Sequence, residues 1–67
     1  MKRFFFDLQG GQNTDDLNGL LCASDLQAFR VAERLAAELS DLRPTLRGNT
    51  CVVIGRMGAD DRYCVSI

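Results

Sequence analysis

Between Ser24 and Pro44 the apolar residues Ala28, Val31, Ala32, Leu35, Leu39 and Leu42 recur at three- and four-residue steps. That spacing lines one face of an α-helix, and Arg30, Glu33, Arg34, Glu38 and Asp41 fall on the opposite side. Ser24 can accept the backbone N–H of Gln27, and Gln27 can reach back, which makes a capping box. Asp25 in the first turn complements the helix dipole. Pro44 lacks an N–H and disfavours helix at Arg43, so the helix is expected to end near Leu42. About seventeen residues at 1.5 Å each give a rod of about 26 Å, long for a chain of 67 residues.

The segments on either side carry a different period. From Lys2 to Leu8, Phe4, Phe6 and Leu8 share one face, while Arg3, Phe5 and Asp7 share the other. That alternation and the aromatic triplet suit a pleated, half-buried strand. Gly10-Gly11-Gln12-Asn13 and Asp15-Asp16-Leu17-Asn18-Gly19 are turn chemistry, with both members of the glycine pair able to take positive φ. Leu20-Leu21-Cys22 then reads as a short strand returning along the first, after a long irregular connection. Pro44, Gly48 and Asn49 break the segment from Arg43 to Thr50. Cys51 to Met57 forms a second strand system with Arg62 to Ile67, turning at Gly58-Ala59-Asp60-Asp61. The expected fold is α+β (ββαββ): a small antiparallel sheet of two hairpins, with one amphipathic helix packed on one face, all in a single domain spanning residues 1–67.

A domain of this size gains barely enough from burial to offset the entropy of ordering its chain, and usually adds a disulfide, a metal or a second subunit. Cys22, Cys51 and Cys64 are odd in number, contain no CxxC pair and lie in apolar runs, where a free thiol acts as a small hydrophobe. There is no histidine, and the cysteine spacings do not match a zinc site, so no metal or other cofactor is expected. Only three apolar residues follow Met1-Lys2-Arg3 before Asp7, which is no signal sequence, and no apolar run reaches membrane-spanning length. These features predict a cytoplasmic protein with reduced thiols. One helix covers one side of a sheet. Phe5 and one apolar row of Val52-Val53-Ile54 then look away from it, and such patches seek a partner. A homodimer or a protein complex is therefore expected, through the uncovered sheet face, with Phe5, Val53 and Met57 as interface residues, or through a free edge strand.

Catalysis finds little support. A Ser-His-Asp or Cys-His arrangement is excluded within a chain that lacks histidine, and the acidic pairs Asp15-Asp16 and Asp60-Asp61 sit in turns, where carboxylates are solvated. The reading is therefore non-enzymatic, with no catalytic residue. Asp16, Asn18 and Gly19 resemble part of a calcium loop, but the first ligand position would be Thr14 and no helix precedes it. Gly55-Arg56-Met57-Gly58 has the form of the GxxG loop of KH domains, although it ends a strand where that loop joins two helices. The net charge of −1, from eight basic and nine acidic residues, gives no global drive towards nucleic acid. Lys2, Arg3, Arg47, Arg56 and Arg62 are the residues for the alternative, a small nucleic-acid-binding regulator.

Arg3-Phe4-Phe5-Phe6-Asp7-Leu8, the glycines after it, Asp16-Leu17-Asn18-Gly19 and the capped, alanine-rich helix occur in a familiar order. Over residues 3 to about 39 the chain resembles a family of short uncharacterised bacterial proteins, common in soil alphaproteobacteria and catalogued as a domain of unknown function. It departs from that pattern at Leu21 and Cys22, where a polar residue and leucine are usual, and in a less acidic final hairpin. The resemblance implies no activity and no functional residue. A looser similarity is to HicB-type antitoxins, which set strands before a helix and cap a small toxin; this implies a protein partner.

Overall fold

The computed structural model describes residues 1–67. The elements follow as β1 (Lys2–Gly10), β2 (Leu20–Cys22), α1 (Asp25–Leu42), a 3-10 turn (Pro44–Leu46), β3 (Thr50–Arg56) and β4 (Arg62–Ser66). All strand pairs are antiparallel and the sheet order is β2-β1-β3-β4. The fold is thus the α+β arrangement that the periodicities indicate. The two hairpins are fused: β1 and β3 lie side by side at the centre, with Phe4 to Gly10 opposite Arg56 to Thr50.

α1 begins as its sequence dictates. The Ser24 hydroxyl accepts the Gln27 N–H at 3.2 Å. The reciprocal bond is displaced by one residue, because Gln27 Oε1 accepts from Ala23 N rather than from Ser24. The Arg43 N–H closes the last turn on Leu39 O at 2.8 Å, and Pro44 starts the 3-10 turn. The buried ridge of α1 is Ala28, Ala32 and Ala36. Leu35 packs half-buried at its flank, and Leu42, expected on the stripe, is 78% exposed. Volume complementarity explains the shift. Phe4, Val52 and Ile54 fill the space from the sheet side, so the helix approaches with its smallest side chains. Arg30, Glu33, Arg34 and Glu38 form no ion pairs with one another; the ion pairs on α1 run to other elements, Asp41 with Arg47 at 3.9 Å and Asp25 with Arg56 at 3.6 Å.

Register sorts the sheet into two faces. Phe4, Phe6 and Leu8 align with Arg56, Ile54 and Val52, and the last two align with Tyr63 and Val65; this is the face under α1. Arg3, Phe5, Asp7 and Gln9 align with Met57, Gly55, Val53 and Cys51, and the last three with Arg62, Cys64 and Ser66. This open face is mixed rather than the apolar surface expected. Strand alternation sets a charged or polar residue beside almost every apolar one, and Val53 is only 6% exposed between its cross-strand neighbours Asp7 and Cys64.

The connection between β1 and β2 is long and irregular, as expected. Thr14 bridges Leu8 through both backbone bonds, extending the β2 side of β1 where β2 itself is only three residues long. Gly10 takes φ +122°, and a Cβ there would collide with Asn49 O. Gly11, given the same freedom by the sequence, does not take positive φ. Leu46, which the sequence left in a plain loop, is buried.

Candidate interaction surface

Antiparallel strands alternate between residues whose N–H and C=O point to one neighbour and residues whose groups point to the other. The Met57 N–H donates to Arg3 O and the Ile67 N–H donates to Thr50 O. With the observed register, these bonds direct the odd residues of β3 towards β1 and its even residues towards β4. Tyr63, Val65 and Ile67 therefore bond to β3. Arg62, Cys64 and Ser66 turn their N–H and C=O groups away from the sheet, along an edge with no strand beside it. The opposite edge is better protected. Past β2, the outward N–H groups of β1 are taken by Thr14 O at Leu8 and by the Asp16 carboxylate at Phe6.

Apolar side chains flank the bare edge on the helix side. Tyr63 is 49% exposed, and it lines a small pocket together with Asp25, Ile54 and Arg56. Phe29 follows Asp25 by one helical turn, which places it on the same side of α1, and it is 39% exposed. On the open side the edge presents Arg62, Cys64 and Ser66, all exposed. Arg62 lies over Gly55, where a Cβ would come within 3.1 Å of its Nε, and its Nη1 bonds the carbonyls of Ala59 and Asp61.

The three residues expected at an interface share the open face, but only two of them line one cleft. Phe5 and Met57 line a shallow cleft of about 270 Å³ on the open face, with Asp7, Asp16, Gly55 and Arg62. Met57 is 62% exposed and Phe5 is half-buried. Val53 lies outside that cleft and offers a partner little surface. The other expected interface, a free edge strand, has its longer instance in β4, whose place at the rim follows from the sheet order.

The five basic residues do not form one track. Lys2, Arg3, Arg56 and Arg62 gather near one end of the sheet, but Arg56 turns to the helix side and pairs with Asp25, while Arg3 donates to Asn18 O. Arg47 is tied to Ser40 and Asp41 beyond the C-terminal turn of α1. Gly55-Arg56-Met57-Gly58 runs from the end of β3 into a hairpin turn, with Gly58 at φ +81°, and joins no helices.

Among the titratable groups, Asp16 is the most engaged. Burial works to raise its pKa, but the backbone N–H groups of Gly19, Phe6 and Asn18 all point at the carboxylate and hold it below the usual value. The carboxylate thus closes a turn and caps a strand edge, which is a structural role. Cys22 is buried in the core, and burial pushes its thiol up. Cys51 is raised by burial and then by the adjacent Cys64 thiol, its diagonal neighbour across β3 and β4. No three side chains of the metal-binding types cluster, and no helix is long and apolar enough to cross a membrane.

An open groove of about 580 Å³ lies between α1 and the loop before β2, floored by Phe6, Leu8, Leu35 and Leu39, with Leu17 at its rim. It exists because β2 is too short to run under the second half of α1.

A helix on one face of a four-stranded antiparallel sheet, with one edge partly capped by the loop before β2 and the other bare, defines a ββαββ domain of the α+β class. The chain belongs to the family described as Domain of unknown function (DUF6894), whose model matches residues 3–62. That match continues past the helix into the final hairpin, beyond the motifs of residues 3 to 39. No match was found among curated proteins or among solved structures.

Proposed function

We propose that this domain is a non-enzymatic interaction module that self-associates through the edge of β4. The observation that carries the reading is the row of outward backbone groups at Arg62, Cys64 and Ser66, flanked by half-exposed Tyr63 and Phe29. A strand edge of this kind is a template for pairing with another strand. Proteins that keep such an edge single protect it with prolines, bulges or inward charges; β4 has no proline, and Cys64 and Val65 occupy its centre. The marginal size of the domain adds a reason for a second subunit. The dispersed and partly paired guanidinium groups favour a protein partner over a nucleic acid, whose backbone needs a continuous basic path.

Light scattering on size-separated protein over a dilution series tests this reading. A dimer that dissociates on dilution is expected. Cys64→Pro removes one outward N–H and none that bonds to β3, a place where an edge strand tolerates proline. The variant is expected to keep its circular dichroism and to dimerise about tenfold more weakly or worse, a change of about 1.4 kcal/mol. A wild type that is monomeric at every concentration overturns the proposal.

A further inference from the structure

We propose, resting on that self-association, that the occupant of the β4 edge is a second copy of this chain, paired antiparallel about a two-fold axis at Cys64. The five residues of β4, Arg62–Ser66, are centred on Cys64, so this is the register that pairs all of them. It sets Arg62 opposite the partner's Ser66, Tyr63 opposite the partner's Val65, and Cys64 opposite the partner's Cys64. The backbone parity agrees with it. The residues whose groups point outward meet one another in all three cases, and each such pair exchanges both of its N–H···O bonds.

The side chains also match themselves across this axis. A two-fold axis normal to the sheet keeps both helices on the same side, so Tyr63 and Val65 of the two copies interleave on the side that Phe29 flanks. The exposed apolar surface of Phe29 and Tyr63 is then directed towards the partner rather than towards water. On the open side, Arg62 faces a neutral hydroxyl. The two Arg62 residues are four strand positions apart, about 14 Å at 3.4 Å per residue, beyond the Debye length of about 10 Å at 0.1 M salt. Moving the axis to Tyr63 pairs fewer strand residues and brings Asp61 against Val65, a carboxylate against an apolar side chain.

The register makes a covalent test available. Directly opposed residues of a hydrogen-bonded pair have Cα atoms about 5.5 Å apart, inside the span a disulfide needs, whereas the diagonal from Cys51 to Cys64 is about 7–8 Å. The folded chain, as wild type and as Cys51→Ser, is treated with the thiol oxidant diamide, and the products are mapped by mass spectrometry. A reducible dimer joined Cys64 to Cys64 is expected from both proteins, with the dimer lost in Cys64→Ser. Tyr63→Cys and Val65→Cys, each placed in the Cys64→Ser background, are expected to cross-link at least about tenfold more slowly, since each meets its own copy only along a diagonal. Faster cross-linking at position 63 or 65 than at Cys64 overturns the register while leaving self-association standing, and so does a light-scattering dimer with no Cys64 cross-link. Absence of any dimer removes both.

Discussion

The carboxylate of Asp16 accepts the backbone N–H of Phe6 at 3.1 Å, and the backbone N–H of Asp16 donates to the Asp7 side chain at 2.8 Å. Through this clasp a loop residue does what a strand would do at the β2 edge of β1. The same carboxylate bonds the N–H groups of Asn18 and Gly19, so one side chain fixes both the strand edge and the turn into β2. The asymmetry between the two sheet edges follows. Past the end of β2, one is capped from within the chain, and the other has no strand beside it.

Asp16→Asn keeps the shape but removes the charge that these N–H groups favour, and is expected to destabilise the domain by about 1.5–3 kcal/mol. Because the folded pKa of Asp16 lies below its unfolded value, its contribution is fully present above the ordinary aspartate value of about 3.9. It is lost as pH falls through the folded value. Urea midpoints measured from neutral pH down through this range are expected to fall more steeply for the wild type than for Asp16→Asn.

Ala32 is fully buried on the ridge of α1 that meets the sheet. Leucine there has no space to enter and must lift the helix, so Ala32→Leu is expected to cost about 1–3 kcal/mol. Chemical denaturation reads the loss, and an unchanged midpoint would show that the helix sits further from the sheet.

Gly10 combines positive φ with the near approach of Asn49 O. Gly10→Ala must break that packing at the joint between β1 and β3 and is expected to cost about 1–3 kcal/mol or more by thermal melting.

The three thiols are expected to react in a fixed order with iodoacetamide in the folded state. Cys64 is exposed and goes first. Cys51 follows, its thiol raised by burial and by Cys64 beside it. Cys22 reacts on global unfolding, being fully enclosed in the core. Peptide mapping at timed intervals checks the sequence of events, since only the thiolate attacks.

Much of this was legible in the residues. The two-residue alternation of Phe4, Phe6 and Leu8 and the three- and four-residue steps from Ala28 to Leu39 are properties of backbone geometry, and they placed the strands and the helix. Ser24 and Pro44 marked the helix ends because a cap and a missing N–H act locally. What sequence could not give depends on which strands become neighbours. That Val53 would be closed in by Asp7 and Cys64 follows from the pairing of β3 with β1 and β4, that Asp16 would serve an edge ten residues away follows from the path of the loop before β2, and that Leu46 would be buried follows from the 3-10 turn after α1. The bare edge on β4 is likewise a fact of sheet order, invisible until β3 is known to sit beside β1.

Native-state hydrogen exchange at the amides of Arg62, Cys64 and Ser66 tests self-association at this edge most directly, because no strand of the same chain bonds them. Their protection is expected to rise with protein concentration, about tenfold for each tenfold increase in dimer population relative to monomer, while Val65, bonded within the chain, stays protected throughout. Free exchange at Arg62, Cys64 and Ser66 at every concentration would contradict the account.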